Sequence, residues 1–177
     1  MLQFTPFDPN SETIRLIEFL TSERWPFHGQ ESPTVDSIKK GINNGFYSDN
    51  GNETFWVKMD NEEIGIIRIF DLADPTCLFD IRLKKEYRGK GLGLLCVKWL
   101  TKYVFTTYSH IIRIEAHTRK DNFAMRKTLH NCQYVKEAYH RSAWPQGNKL
   151  FDSVGYAILR NDWENNSVTL IVDDFAY

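Results

Sequence analysis

The segment Arg88-Gly89-Lys90-Gly91-Leu92-Gly93 places glycines at alternate positions between a strand-like stretch and a strongly amphipathic one. Such glycines let the backbone turn tightly and let a ligand come close to it. The first N–H groups of a following helix have no partner within the helix, and the helix dipole favours an anion there. Arg88 and Lys90 add positive charge. The chemistry implied is the holding of a diphosphate, against the plainer alternative of a tight turn ahead of a helix. Two other phosphate loops are excluded by spacing. A dinucleotide fingerprint would need glycine where Leu94 stands, and a Walker loop would need Ser or Thr where Gly91 follows Gly89-Lys90.

The elements that position this loop follow from periodicity. Leu92, Leu95, Cys96, Trp99, Leu100, Tyr103 and Val104 recur at helical spacing, with Lys98, Thr101 and Lys102 off that stripe. Before the loop, Cys77, Phe79, Ile81 and Leu83 alternate with Leu78, Asp80 and Arg82, which predicts a strand with one apolar face. Thr54–Lys58 and Ile64–Phe70 read as a hairpin turned at Asn61-Glu62-Glu63. Ser11 starts a helix through Leu20, and Ser32-Pro33-Thr34-Val35 starts another, with a capping hydroxyl and proline at its first position. After the long helix, His110–Ala116 reads as a strand and Asp121 caps a short helix through Leu129. Gln133–Tyr139 and Val154–Leu159 read as closing strands. Alternation of this kind predicts a mixed α/β or α+β domain.

Composition narrows the function. With 177 residues, 42% hydrophobic and 25% charged, the chain is an ordinary globular one of a single domain's length, with 161–177 as a C-terminal extension. Lys+Arg 22 against Asp+Glu 23 leaves no basic excess, which argues against a nucleic-acid partner. Cys77, Cys96 and Cys132 form no Cys-x-x-Cys pair, so neither a zinc site nor a redox motif is expected, and they suit a reducing compartment. Met1-Leu2-Gln3-Phe4 begins no signal peptide, and no apolar run suffices to span a bilayer. A soluble cytoplasmic protein with no membrane partner is the expectation. The apolar end Val168–Val172 suits an extra edge strand or an interface element, including a homodimer contact.

With the order of elements in place, the glycine segment resembles the R/Q-x-x-G-x-G/A acetyl-CoA loop of the GNAT N-acetyltransferases. The resemblance covers most of the chain, and Asp152–Leu159 is similar to the branch that includes the ribosomal-protein N-acetyltransferases. It implies a GNAT fold, a mixed, mostly antiparallel sheet of six to seven strands flanked by helices, and acetyl-CoA as cofactor. It assigns the pyrophosphate to the amides of Arg88, Gly89, Lys90, Gly91, Leu92 and Gly93. The pantetheine arm falls to the backbone of Ile81, Arg82 and Leu83, in a V-shaped slot beside that strand, and a further contact to Asn122. The chain departs from the family at Gln133-Tyr134, where Gly-Phe is common, and at Leu129, where many members carry a general-acid tyrosine.

The implied activity is transfer of acetyl from acetyl-CoA to a primary amine, of a small molecule or a protein N-terminus, directly in a ternary complex. The alternative is a non-catalytic acyl-CoA-binding or sensor domain on the same fold. Amine attack needs a base, because a free ammonium titrates near 10. Asp80, on the strand beside the thioester, is the candidate, against an ion pair with Arg82. Trp25, Phe27 and His28, between the first two helices, are candidates for the acceptor wall, against a hydrophobic plug that fixes the turn. His28 also suits a proton relay. Tyr139 on a late strand, with His140, Arg141 and Trp144, would close the pocket, against simple strand and loop packing.

Overall fold

The computed structural model describes residues 1–49 and 51–173. Its centre is a seven-stranded sheet: β1 (Leu2–Pro6), β2 (Glu53–Met59), β3 (Glu62–Phe70), β4 (Thr76–Leu83), β5 (Arg113–Arg119), β6 (Val135–Gln146) and β7 (Lys149–Leu159). The spatial order is β1-β2-β3-β4-β5-β7-β6, and every neighbouring pair is antiparallel except β4 with β5. The helices are α1 (Thr13–Thr21), α2 (Val35–Asn43), α3 (Leu92–Thr107), α4 (Phe123–Asn131) and α5 (Arg160–Asn165). The expected GNAT architecture is thus present, with seven strands.

Two cores flank the sheet. One packs Cys96, Val97, Leu100, Val104 and Phe105 of α3 against Val57, Ile67, Ile69, Cys77 and Ile114. The other packs Leu16, Phe19 and Leu20 of α1, Ile38 of α2 and Trp25 against Trp56 and Ile66. Strand alternation explains the division, because Ile66 and Ile67 face opposite sides of β3. Gly65 lets β3 and β4 meet closely, since a Cβ there would lie 2.5 Å from the Arg82 carbonyl oxygen. Arg160 ties α3 to the sheet by donating to the carbonyls of Phe105, Tyr108 and Ile111 around the helix's C-terminal end.

Several boundaries differ from the sequence reading. β1 was not expected; Phe4 stacks on Trp99 with ring centroids 4.0 Å apart, which leaves Trp99 half-buried at the sheet's edge. Thr34 caps α2, in a reciprocal capping box with Ser37, so Pro33 precedes the cap. Ser11 donates to Asp8 and does not cap α1. On α3, Leu95 is exposed while Val97 and Thr101 are buried, because Thr101 shares a hydrogen bond with the buried Tyr134 hydroxyl at 2.8 Å. The closing strands run longer than expected, and Gln133 precedes them with φ +65. That left-handed geometry explains why glycine is common there in the family. Residues 168–172 form no strand, and α5 instead packs Trp163 near Phe105, with ring centroids 5.4 Å apart.

Candidate active site

Pairing between β4 and β5 covers only Thr76↔Arg113, Cys77↔Ile114 and Leu78↔Glu115. Beyond it, β4 stays paired with β3 as far as Leu83, and β5 with β7 as far as Arg119. The two strands therefore part, and a V-shaped slot opens between 79–83 and 116–119. A cleft of about 260 Å³ occupies its mouth. Phe79, Asp80 and Ile81 line one side; Ala116, His117 and Thr118 line the other. Phe27 and His28 reach it from the α1–α2 loop, Arg68 and Phe70 from β3, Asn122 and Met125 from α4, and Trp144 from β6.

The glycine loop lies past the C-terminal end of β4, after a 3-10 turn at Lys85–Tyr87. Gly89 and Gly91 have φ of +74 and +79, and a Cβ on either would meet open space within 4 Å. Gly91 is the N-cap of α3 and offers no capping side chain, so the first amides of that helix are left for an anion. This cradle fits the diphosphate of coenzyme A. Arg88 contributes differently from expectation, because its amide already donates to the Lys85 carbonyl at 3.2 Å in the preceding turn. Its guanidinium donates to Glu23 at 2.9 Å and to the Leu83 carbonyl at 2.7 Å, which fastens the loop to the α1–α2 connection. Lys90, exposed beside Tyr87, is the cation left at the loop.

Asp80 lies at the centre of a charged group. Its Oδ1 is 2.9 Å from His28 Nδ1, and its Oδ2 is 3.3 Å from Nε and Nη2 of Arg82. Arg68 is its partner in register on β3. Burial opposes ionisation of Asp80, but His28 and Arg82, with Arg68 behind them, outweigh it and hold the carboxyl well below the usual carboxylate range. The ion pair with Arg82 anticipated from sequence is therefore present, and so is a partner not anticipated, His28.

Arg119, only 8% exposed, fixes the loop that carries His28. It donates to Asp121, to Gln146 Oε1 at 2.6 Å and to the Pro26 carbonyl at 3.3 Å, and its guanidinium lies 3.5 Å from the Phe151 ring centre. Gln146 donates to the same Pro26 carbonyl at 2.8 Å. One side chain thus joins β5, the β6–β7 hairpin and the α1–α2 loop. Arg119→Ala is expected to destabilise the fold by about 2–3 kcal/mol, from the loss of charged hydrogen bonds and of stacking. Thermal denaturation should show a fall in Tm of roughly 5–10 °C.

The remaining expected residues divide. Phe27, His28, Asp80, Ile81 and Asn122 converge on the cleft. Arg82 and Leu83 follow on the parted section of β4, Leu83 with its carbonyl already taken by Arg88. Asn122 itself caps α4, accepting from the Met125 amide at 3.3 Å, whereas Asp121 pairs with Arg119. Trp25 is not among the lining residues. It is 1% exposed, and its Nε1 donates to the Leu20 carbonyl at 2.8 Å, so it is the plug that fixes the turn. Tyr139 stands outside the cleft, half-exposed, in a surface group with Asp152 and Lys120. Leu129 is fully buried, so no proton donor occupies that position of α4. The sequence reading missed Arg68. Its signal was a lone cation in the apolar run Ile64–Phe70, whose neighbours Ile67 and Ile69 are wholly buried.

Among the described residues, no helix is long and apolar enough to cross a membrane, and no cluster of His, Cys, Asp and Glu suits a metal ion.

Comparison with known proteins agrees with this geometry. A spermidine N-acetyltransferase from Vibrio cholerae, solved with CoA and spermine, superposes with a TM-score of 0.80 at 19% identity, over 93% of this chain and 98% of that one. A dodecameric form of spermidine N-acetyltransferase from the same organism gives 0.77 at 20% identity, over 94% and 98%. A probable acetyltransferase gives 0.75 at 19%, over 92% and 94%. No curated protein matches the sequence closely enough to count as a relative. Residues 2–135 match the Acetyltransferase (GNAT) domain. The chain therefore belongs to the GNAT acetyltransferase family and is an acetyl-CoA-dependent acyltransferase.

Proposed function

We propose that the protein acetylates a primary amine, of a small molecule or a protein N-terminus, by direct transfer in a ternary complex, with His28 as the base and Asp80 as its positioning partner. The observation that carries this reading is the 2.9 Å contact between His28 Nδ1 and Asp80 at the mouth of the parted strands. Acetyl-CoA supplies an activated acetyl thioester. Asp80 has both oxygens engaged and binds a proton weakly, which makes it a poor base itself. It is well suited to hold the imidazole with Nδ1 protonated, which leaves the Nε2 lone pair to take the proton of the incoming amine. This assignment moves the proton acceptor from Asp80 to its neighbour.

The supporting residues have separate tasks. The amides at Gly89–Gly93 suit the diphosphate, and the parted backbone of Ile81, Arg82 and Leu83 suits the pantetheine arm and a donor to the thioester oxygen. Asn122, at the start of α4, flanks the slot. Phe27 supplies an apolar wall, and the aromatic lining favours a small molecule over a protein N-terminus. Trp25 supports that wall from the core, and Tyr139 is left at its outer rim. The β7 segment Asp152–Leu159 supports kinship with the ribosomal-protein N-acetyltransferase branch. The likeness to enzymes that acetylate spermidine supports an amine acceptor in general.

Direct transfer is favoured by the cysteines. All three are buried, and burial pushes the thiols of Cys77 and Cys96 up to about 12 and that of Cys132 up to about 11. None is a ready acyl carrier. Release of free CoA from acetyl-CoA in the presence of a broad amine and peptide panel, with mass spectrometry of the products, tests the reading. Acceptor-dependent release and an acetylated amine are expected. CoA binding without turnover on any acceptor would leave a sensor domain instead.

A further inference from the structure

Among the side chains that line the cleft, Arg68 and Trp144 carry donors without partners among the described residues. Arg68, 8% exposed, lies between the rings of Phe46 and Phe70, with its guanidinium carbon 3.7 and 4.1 Å from their centres. Its Nη1 donates to Asn52 Oδ1 at 2.7 Å, but its Nε is sealed from water and has no partner among the described residues. The same holds for Arg82 Nη1, beside Asp80, and for Trp144 Nε1 in the lining. Two of these donors, on Arg68 and Trp144, belong to side chains that line the cleft, and buried donors without partners cost folding free energy, so the lining favours a ligand that brings acceptors. The acetyl thioester brings one carbonyl oxygen to this end of the slot, which cannot answer both donors.

Charge points the same way. Asp80 is the one carboxylate among the lining residues, and both its oxygens are engaged by His28 and Arg82. Arg68, His28 and His117 share the lining with it. A polyamine brings further donors and positive charge and finds no free carboxylate among these residues. A carboxylate finds Arg68 and Trp144. Spacing limits the ligand, because Arg68 and Asp80 are paired across β3 and β4, and His28 touches Asp80. A group bound near Arg68 and an amine bound near His28 are therefore a few bonds apart. Phe27, Phe70, Phe79 and Trp144 leave an aromatic surface for a small apolar body.

Resting on the acetyl-transfer reading, we propose that the acceptor is an amine carrying a carboxylate close to the amino group and a small apolar side group, an amino acid or a compound built like one, and not a polyamine. Burial works against the charge of Arg68, and Asp80 opposes that effect, so a second anion beside this guanidinium is electrostatically welcome.

The test uses matched pairs with the full-length protein: L-phenylalanine against phenethylamine and L-methionine against 3-(methylthio)propylamine, with spermidine as the third class. Acetylation is followed with saturating acetyl-CoA, and calorimetric titration of each compound into CoA-saturated protein runs in parallel. The carboxylated member of each pair is expected to be favoured at least about ten-fold in kcat/KM, the scale of one charged hydrogen bond. Arg68→Gln should bring that ratio near unity with CoA affinity retained; if that variant does not fold, the wild-type pairs decide. Equal or better turnover of the carboxyl-free amines or of spermidine overturns the proposal while acetyl transfer stands. Binding of the carboxylated compounds without turnover upholds the ligand class and sinks the transfer reading. Absence of both binding and turnover of the carboxylated compounds overturns the proposal.

Discussion

Gly91→Glu is expected to weaken coenzyme A binding by at least about 100-fold. The position is the uncapped N-terminus of α3, and φ there is +79. Two separate effects follow from the substitution. A side chain in the left-handed region strains the backbone by roughly 1–2 kcal/mol, but it does so with and without ligand and so appears in stability. The carboxylate acts on binding, because it stands where the diphosphate is proposed to sit. Two unit charges about 4 Å apart near a protein surface repel by about 4 kcal/mol, and each 1.4 kcal/mol is a factor of ten. Gly91→Ala separates the two, since open space surrounds its Cβ. It should lower Tm with little loss of affinity. Calorimetric titration of CoA into both folded variants checks the pair, and unchanged affinity in Gly91→Glu would remove the loop as the diphosphate site.

His28→Ala is expected to lower kcat by about 10²–10⁴, the range for loss of a positioned base, with CoA affinity unchanged. Asp80→Asn should lower kcat for a different reason. An amide in that place turns an N–H towards His28 or leaves its Nδ1–H poorly held, and it strips Arg82 and Arg68 of their counter-charge. The pH behaviour separates the two roles. The folded pKa of Asp80 lies below its unfolded value, so its contribution to stability is complete above the ordinary carboxylate range. It is lost as pH falls below that range towards the lower folded value. Asp80 is therefore ionised throughout any neutral assay, and a rate that changes with pH near neutrality reports on another group. Stopped assays of kcat across pH on wild type, His28→Ala and Asp80→Asn check this. Wild-type turnover by His28→Ala would exclude the imidazole as base.

The glycine loop was legible because its information is local: three glycines, a strand before them and a helical stripe after them. The parting of β4 and β5 was legible only through family resemblance, since nothing in Phe79–Leu83 or Ala116–Arg119 states that pairing stops at Leu78 and Glu115. Trp25 and Phe27 show the limit of composition. Two aromatics two positions apart took opposite fates, because the Trp25 indole N–H found the Leu20 carbonyl in the core while Phe27 turned to the cleft. β1 escaped notice because Leu2–Pro6 is short and gains its burial from Trp99, nearly a hundred residues away. The His28–Asp80 contact joins a loop to a strand across 52 positions, and it depends on Arg119 holding Pro26 in place. Such long-range placement is a property of packing and leaves no local pattern.

Coenzyme A is proposed to bind in the Arg88–Gly93 loop and the slot between β4 and β5. Titration of CoA into the full-length protein, with ATP and NAD titrated in parallel, decides whether it does. One equivalent of CoA should bind, acetyl-CoA should displace it, and neither ATP nor NAD should do so. Absence of CoA binding, or tight binding of ATP or NAD in its place, would remove the loop and slot as a coenzyme A site.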